Sequence, residues 1–194
     1  MLARVAIRLG HLDEGRAHAE QALAVARRTG EKGLAQQPLH LLAGVARLAG
    51  DLDRARPLAA EAIAAHEALG DLRMLAIEQH NLGHLELHDG QVDRARELFA
   101  SARENAAKAG ADELVPELAL GVAAVATLDG EFARAARILG AIDSFLAAAN
   151  LVLDPDEFLE EQSVRDKLEA ALGGSFAEFY REGAGKDLRE VSAG

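Results

Sequence analysis

The chain has 194 residues, a formal net charge of −11, 49% apolar but only 4% aromatic residues, and no cysteine. That length suits one compact domain or one short superhelix; the missing cysteine removes disulfides and thiolate chemistry, and the acidic balance argues against direct contact with a phosphate backbone. The opening run MLARVAIRLG has arginines inside its apolar stretch and is not expected to be a signal peptide, no stretch reaches the roughly 20 uninterrupted apolar residues of a membrane span, and a cytoplasmic protein is expected.

One phrase recurs four times in chain order: RLGHLDEGRAHAEQA from Arg8, LAGDLDRARPLAAEA from Leu48, HDGQVDRARELFASA from His88 and LDGEFARAARILGAI from Leu128. Gly10, Gly50, Gly90 and Gly130 stand 40 residues apart; Gly30, Gly70 and Gly110 fall midway, and Asn150 takes the next place. Gly and Asn accept the left-handed conformation that ends a helix, and the stretches between are rich in the strong helix formers Ala, Leu, Arg and Glu. Each unit therefore predicts two antiparallel helices, A and B, in an all-α solenoid whose units bury their apolar faces by stacking.

Residues 1–9 predict a short helix A with Leu2, Val5, Ala6 and Leu9 on one face. So bare a first helix points to a piece of a longer array, or to a homodimer through the N-terminal helix. The first helix B is expected over Leu12 to Arg28, the second unit from Gln37 to Leu69, the third from Leu72 to Ala109 and the fourth from Glu113 to Ala149. Leu42, Leu82 and Val122, with Val45, Leu85 and Val125, repeat in helix A at core spacing. Ala59, Phe99 and Leu139, with Ala62, Ala102 and Ile142, do so in helix B. Asp13, Asp53 and Asp93 recur in first turns, where carboxylates meet the positive end of the helix dipole. Arg54, Arg94 and Arg134 share the next position and read as solvated helix starts, with a phosphate site as the alternative. Pro38 and Pro116 are expected in first turns, where a missing N–H does little harm.

After Asn150 the period breaks. The spacing predicts a helix from about Asp156 to Leu172, an aromatic helix over Ser175 to Glu182 with Phe176, Phe179 and Tyr180, and a last short helix around Asp187 to Val191. Residues 1–149 thus read as four helix pairs, the first truncated, and 150–194 as a helical cap whose rings cover the open end of the stack. An aromatic ligand site is the alternative.

Leu82-Gly83, Gly90, Val92, Ala95, Phe99 and Ala102, and nearly as well Leu42-Ala43, Gly50, Leu52, Ala55, Ala59, Ala62 and Ile63, resemble the tetratricopeptide repeat. The departures are the 40-residue spacing, against 34 in that family, and the lack of its terminal Pro. The helix ends RTGE, ALGD and KAGA and the closing segment ARAARILGAIDSFLAAANLVLDPDEFLEEQ are similar to the C-terminal helical sensor region of large bacterial nucleotide-switch ATPase regulators. No GxxxxGK[ST] loop is present, so the ATPase itself is not in this sequence. The resemblance implies a right-handed superhelix of antiparallel helix pairs, and a non-enzymatic scaffold for signalling or transcriptional control.

In tetratricopeptide arrays helix A lines the concave face. The resemblance carries that role onto Arg4, Arg8, Gln37, His40, Arg47, His80, Asn81, His84 and His88, and also onto Glu117 and Gly121. Expected partners are a protein or peptide, or a small polar or anionic effector, with no cofactor. Steps of four put His80, His84 and His88 on one helix face. Solvated groove histidines, recognition of an anionic ligand and a metal site on that row are the three readings. HNLGH looks superficially like a zinc-protease HExxH, but Asn81 stands where the catalytic Glu would be, so hydrolysis by that route is not expected. Glu86, whose counterparts are Ala6, Ala46 and Ala126, is expected to need a structural hydrogen-bond partner.

Overall fold

A computed structural model describes residues 2–193, the side chains of Arg8 and Lys32 excepted. The chain runs through α1 (Leu2–Arg8), α2 (Leu12–Thr29), α3 (Lys32–Leu48), α4 (Leu52–Leu69), α5 (Leu72–His88), α6 (Val92–Ala109), α7 (Val115–Leu128), α8 (Phe132–Ala149), α9 (Pro155–Leu172), α10 (Phe176–Ala184) and α11 (Leu188–Ser192). Two 3-10 turns, Asp112–Leu114 and Gly173–Ser175, lead into α7 and α10. There is no strand among the described residues.

Local chemistry sets these boundaries. Gly30, Gly70 and Gly110 end α2, α4 and α6 with φ of 72°, 68° and 64°, and Asn150 ends α8 at φ 52°. Asp51 and Asp71 cap α4 and α5 by accepting hydrogen bonds from the backbone N–H of Arg54 and Met74. Helix α3 starts at Lys32, before the expected Gln37, so Pro38 lies inside it and not in its first turn. The arginines of the recurring phrase are engaged on the exposed surface: Arg54 with Glu20, Arg94 with Glu97, Arg134 with Glu131. Their role is that of solvated helix starts, each pair worth about 1 kcal/mol at most.

The core is a succession of clusters, each drawn from helices adjacent in sequence. Ala3, Ala19, Leu23, Leu39, Leu42 and Ala62 begin it. Ala43, Ala55, Ala59, Leu82, Leu85 and Leu98 continue it, followed by Ala76, Ala102, Ala106, Leu114 and Leu118. Leu120, Ile138, Leu139, Ile142, Val164, Leu168 and Leu188 close it. At about 1.5–3 kcal/mol for each large apolar side chain taken from water, this stacking is what holds helices that no single unit could hold. The face expected on α1 is split: Ala3 and Ala6 are buried, whereas Leu2, Val5 and Leu9 are 69%, 51% and 66% exposed.

The aromatic helix does pack its half-buried Phe176, Phe179 and Tyr180 against the last cluster. Its approach to α8 is set by two glycines. A Cβ on Gly140 would strike the Tyr180 carbonyl, and one on Gly183 would strike the Arg137 carbonyl. Helix α9 takes a different course from an end cap. It packs on α7 and α8 and also reaches α3, so it runs back over the inner side of the stack.

Candidate functional site

The inner side is built from α3, α5 and α7, the A helices of successive units. Arg47 lies in the last turn of α3, and the four-residue steps on α5 line up His80, His84 and His88. Opposite them stand the first two turns of α9, which begin at Pro155 after an extended Asp154. These turns are inverted in polarity. Glu157 and Glu161 are buried, while Phe158 and Leu159 are exposed to solvent. This half of α9 therefore docks by charge and leaves its apolar side chains outside; Val164 and Leu168, further along, join the core.

Arg47 is the hub. Its Nη2 donates to Asp156 Oδ2, to Glu157 Oε1 at 3.4 Å and to Asn81 Oδ1 at 3.3 Å, and its Nη1 lies 4.0 Å from Glu160 Oε1. His80 Nε2 is 3.1 Å from Glu157 Oε2, and His84 Nδ1 is 3.4 Å from Glu160 Oε2. His88 Nε2 is 2.8 Å from Glu160 Oε1. His80 and His84 meet edge to face with centroids 4.7 Å apart, and Phe99 packs on both at 5.4 and 5.0 Å. Gly83 and Gly121 make room for that ring. Gly121, expected on the concave face, is thus committed to packing.

The charges respond to this confinement. Burial works against the Arg47 charge, but Asp156, Glu157 and Glu160 more than offset it and hold the guanidinium protonated. Burial likewise pushes Glu157 up, yet His80 and Arg47 bring it well below the usual carboxylate range; His84 and His88 do the same for Glu160. His84 moves down, chiefly through burial. The hydrogen bond that His88 donates to Glu160 raises His88. Glu117 on α7 is rescued only in part: burial, with the Glu157 charge adding to it and His80 opposing it weakly, pushes its carboxyl up to about 7.

The expected groove residues divide into three groups. Arg47, Asn81, His80, His84 and His88 come together, but beneath α9. His80 and His84 are therefore sealed in, 2% and 1% exposed, not solvated as one reading had it. Arg4, Gln37 and His40 line a remaining cavity of about 420 Å³, shared with Arg73, Asn81 and Glu117. The side chain of Arg8 lies outside the described residues. Glu86 finds its partner in Arg56, with Nε at 3.4 Å.

Three acidic groups escaped the sequence reading. Asp156, Glu157 and Glu160 were placed in a terminal cap, although DEFLEE puts two of them at an i, i+3 spacing fit for one helix face. Glu78 is the fourth omission and is fully buried, with Oε1 2.8 Å from His40 Nδ1 and Oε2 without a partner. Its counterparts one repeat away are Pro38 and Leu118, both buried, so a carboxylate in that register was the available signal. Burial pulls His40 down, but the Glu78 hydrogen bond and charge carry it above its ordinary value.

Chemically, the contact sets cations and imidazoles on one side against carboxylates on the other. His80, His84 and Glu157 also bring one ligand atom each within 4.8 Å of one another, the metal-capable trio among the described residues. His88, part of the row read from sequence, stands apart from it on Glu160. Among the described residues no helix is long and apolar enough to cross a membrane. Fold and site together define an all-helical protein of repeating antiparallel helix pairs with a charged inner face. No family model, no curated protein and no solved structure matches the chain.

Proposed function

We propose that this chain is a non-enzymatic binding module whose inner face recognises acidic helical segments, and that the first half of α9 occupies that face in cis. The observation that carries the reading is the Arg47 guanidinium, buried between α3 and α9 and bonded to Asp156 and Glu157. Buried charge pairs are weak sources of stability but strict about partner and register. The inverted polarity of α9 supports exchange with a partner, because few apolar contacts hold its first two turns. The remaining cavity, where Arg4, Arg73 and His40 face Glu113, Glu117 and Asp154, suits a small polar effector better than an anionic one. The likeness of the repeat to tetratricopeptides supports a right-handed superhelix, and the likeness of the tail supports a sensor or interaction segment of a bacterial regulator.

The reading is tested with a fluorescent peptide of residues 151–172, titrated into the full chain and into Glu157→Gln/Glu160→Gln. Anisotropy should report tighter binding to the variant, whose own α9 competes less. Equal absence of binding in both, with α9 shown by hydrogen exchange to be loosened in the variant, contradicts it.

A second reading rests on α1. Leu2, Val5 and Leu9 form an exposed apolar strip beside a buried Ala3 and Ala6, a face suited to another helix or a second copy. Light scattering of wild type against Val5→Ser separates the two.

A further inference from the structure

We propose that His80, His84 and Glu157 form a binding site for a divalent transition-metal ion of the zinc class, which fastens α9 to α5. The site needs α9 seated in cis and does not depend on any partner helix.

The donor set comes first. One ring nitrogen of His80, one of His84 and one carboxylate oxygen of Glu157 lie within 4.8 Å of one another, and all three residues are buried. Two imidazoles and a carboxylate are a three-ligand set that zinc accepts with a fourth position left open. A water takes the open fourth position. Imidazole donors select zinc, cobalt or nickel over magnesium and calcium, which take oxygen. Bonds of about 2.0–2.1 Å require the ligand atoms to draw in by roughly an ångström, within reach of side-chain rotation. The His80 to Glu157 hydrogen bond then gives way to two bonds to the ion.

The second observation is independent of proximity. His84 Nε2 is buried without a hydrogen-bond partner. A neutral imidazole has one N–H and one lone pair, so with Nδ1 turned to Glu160 that ring keeps an unmet polar atom in the interior. Such groups are otherwise rare in folded proteins, and a metal ion is one of the partners that satisfies them.

The third is charge. Three carboxylates, Asp156, Glu157 and Glu160, face one permanent cation, Arg47, and the titratable imidazoles of His80, His84 and His88. A dication bound in place of imidazole protons keeps those carboxylates partnered. Arg47 bonds Glu157 through Oε1, whereas His80 lies against Oε2, so the oxygen offered to the metal is not the one the guanidinium holds.

The test is calorimetric titration of chelator-treated full chain with ZnCl₂, with Co²⁺ absorption alongside. One Zn²⁺ per chain and the visible bands of four-coordinate Co²⁺ are expected. Glu157→Gln, which keeps the side chain's shape, and His84→Ala should each weaken binding by more than about 100-fold, since even indirect partners of a metal carry about 10–100-fold. X-ray absorption at the zinc edge of the wild type should count two imidazole nitrogens, a readout that needs no variant to fold. Absence of heat and of Co²⁺ bands overturns the proposal. So does equal binding by both variants, which would put the ion elsewhere, such as on the exposed His11, Glu14 and His18.

Discussion

Arg47 and Glu157, 110 positions apart in sequence, meet at 3.4 Å in the interior. That contact ties the last turn of α3 to the first turn of α9 and determines what the inner face of the stack presents. Arg47→Met should therefore cost about 3–5 kcal/mol, because it leaves buried carboxylates without their cation. Combined with Glu157→Gln, the loss should fall short of the sum of the single losses by about 1–3 kcal/mol. Urea denaturation of the four proteins in the cycle checks this.

His40 and Glu78 form a second buried pair, and removing one member differs from removing both. His40→Ala strands the fully buried Glu78 carboxylate and should cost about 3–5 kcal/mol. Adding Glu78→Leu, which restores the apolar character of its counterpart Leu118, should recover most of that loss. The pair also has a pH signature. His40 titrates above its ordinary value of 6.5. Its contribution is complete below that pH and is lost as pH rises through the raised value. Thermal unfolding from pH 6 to 9 in wild type and the double variant reads the difference.

Glu117 titrates upward, from an ordinary 4.5 to about 7. The sign follows: the group costs nothing well below pH 4.5, its cost builds as pH rises from 4.5 to about 7, and it levels off above that. Glu117→Gln should raise stability at pH 8 by about 1–3 kcal/mol and leave it unchanged at pH 4. A variant that is no more stable at pH 8 contradicts this placement of the carboxyl.

The crossing of α8 and α10 predicts a steep response to one methyl group. Gly140→Ala or Gly183→Ala pushes a Cβ into facing backbone, which has no rotamer to yield. Either should detach α10, exposing Tyr180 and quenching its near-ultraviolet dichroism. Gly83→Ala meets the Phe99 ring at 2.5 Å, where a side chain can shift, and should cost about 1–3 kcal/mol.

The helices were legible because their punctuation is local. Gly30, Gly70, Gly110 and Asn150 end helices by their own conformational freedom, and no distant contact is needed to see it. The core register followed from Ala59, Phe99 and Leu139 with Ala62, Ala102 and Ile142, all buried. The groove residues were legible as a row for the same reason. What covers them was not, because the docking of α9 depends on charges brought together across more than 70 residues, as with His80 and Glu157. Periodicity sorts apolar faces from polar ones, and α9 reverses that rule in its first two turns. Phe158 and Leu159, though apolar, lie outside, and Glu157, though charged, lies inside.

The central claim is that charge, not apolar packing, seats the first half of α9 on the inner face. Amide hydrogen exchange of Glu157→Gln/Glu160→Gln against wild type tests it most directly. The account predicts that protection falls in residues 155–162 and persists in α3 to α8 and around Val164 and Leu168. Unchanged protection across residues 155–162 would contradict it.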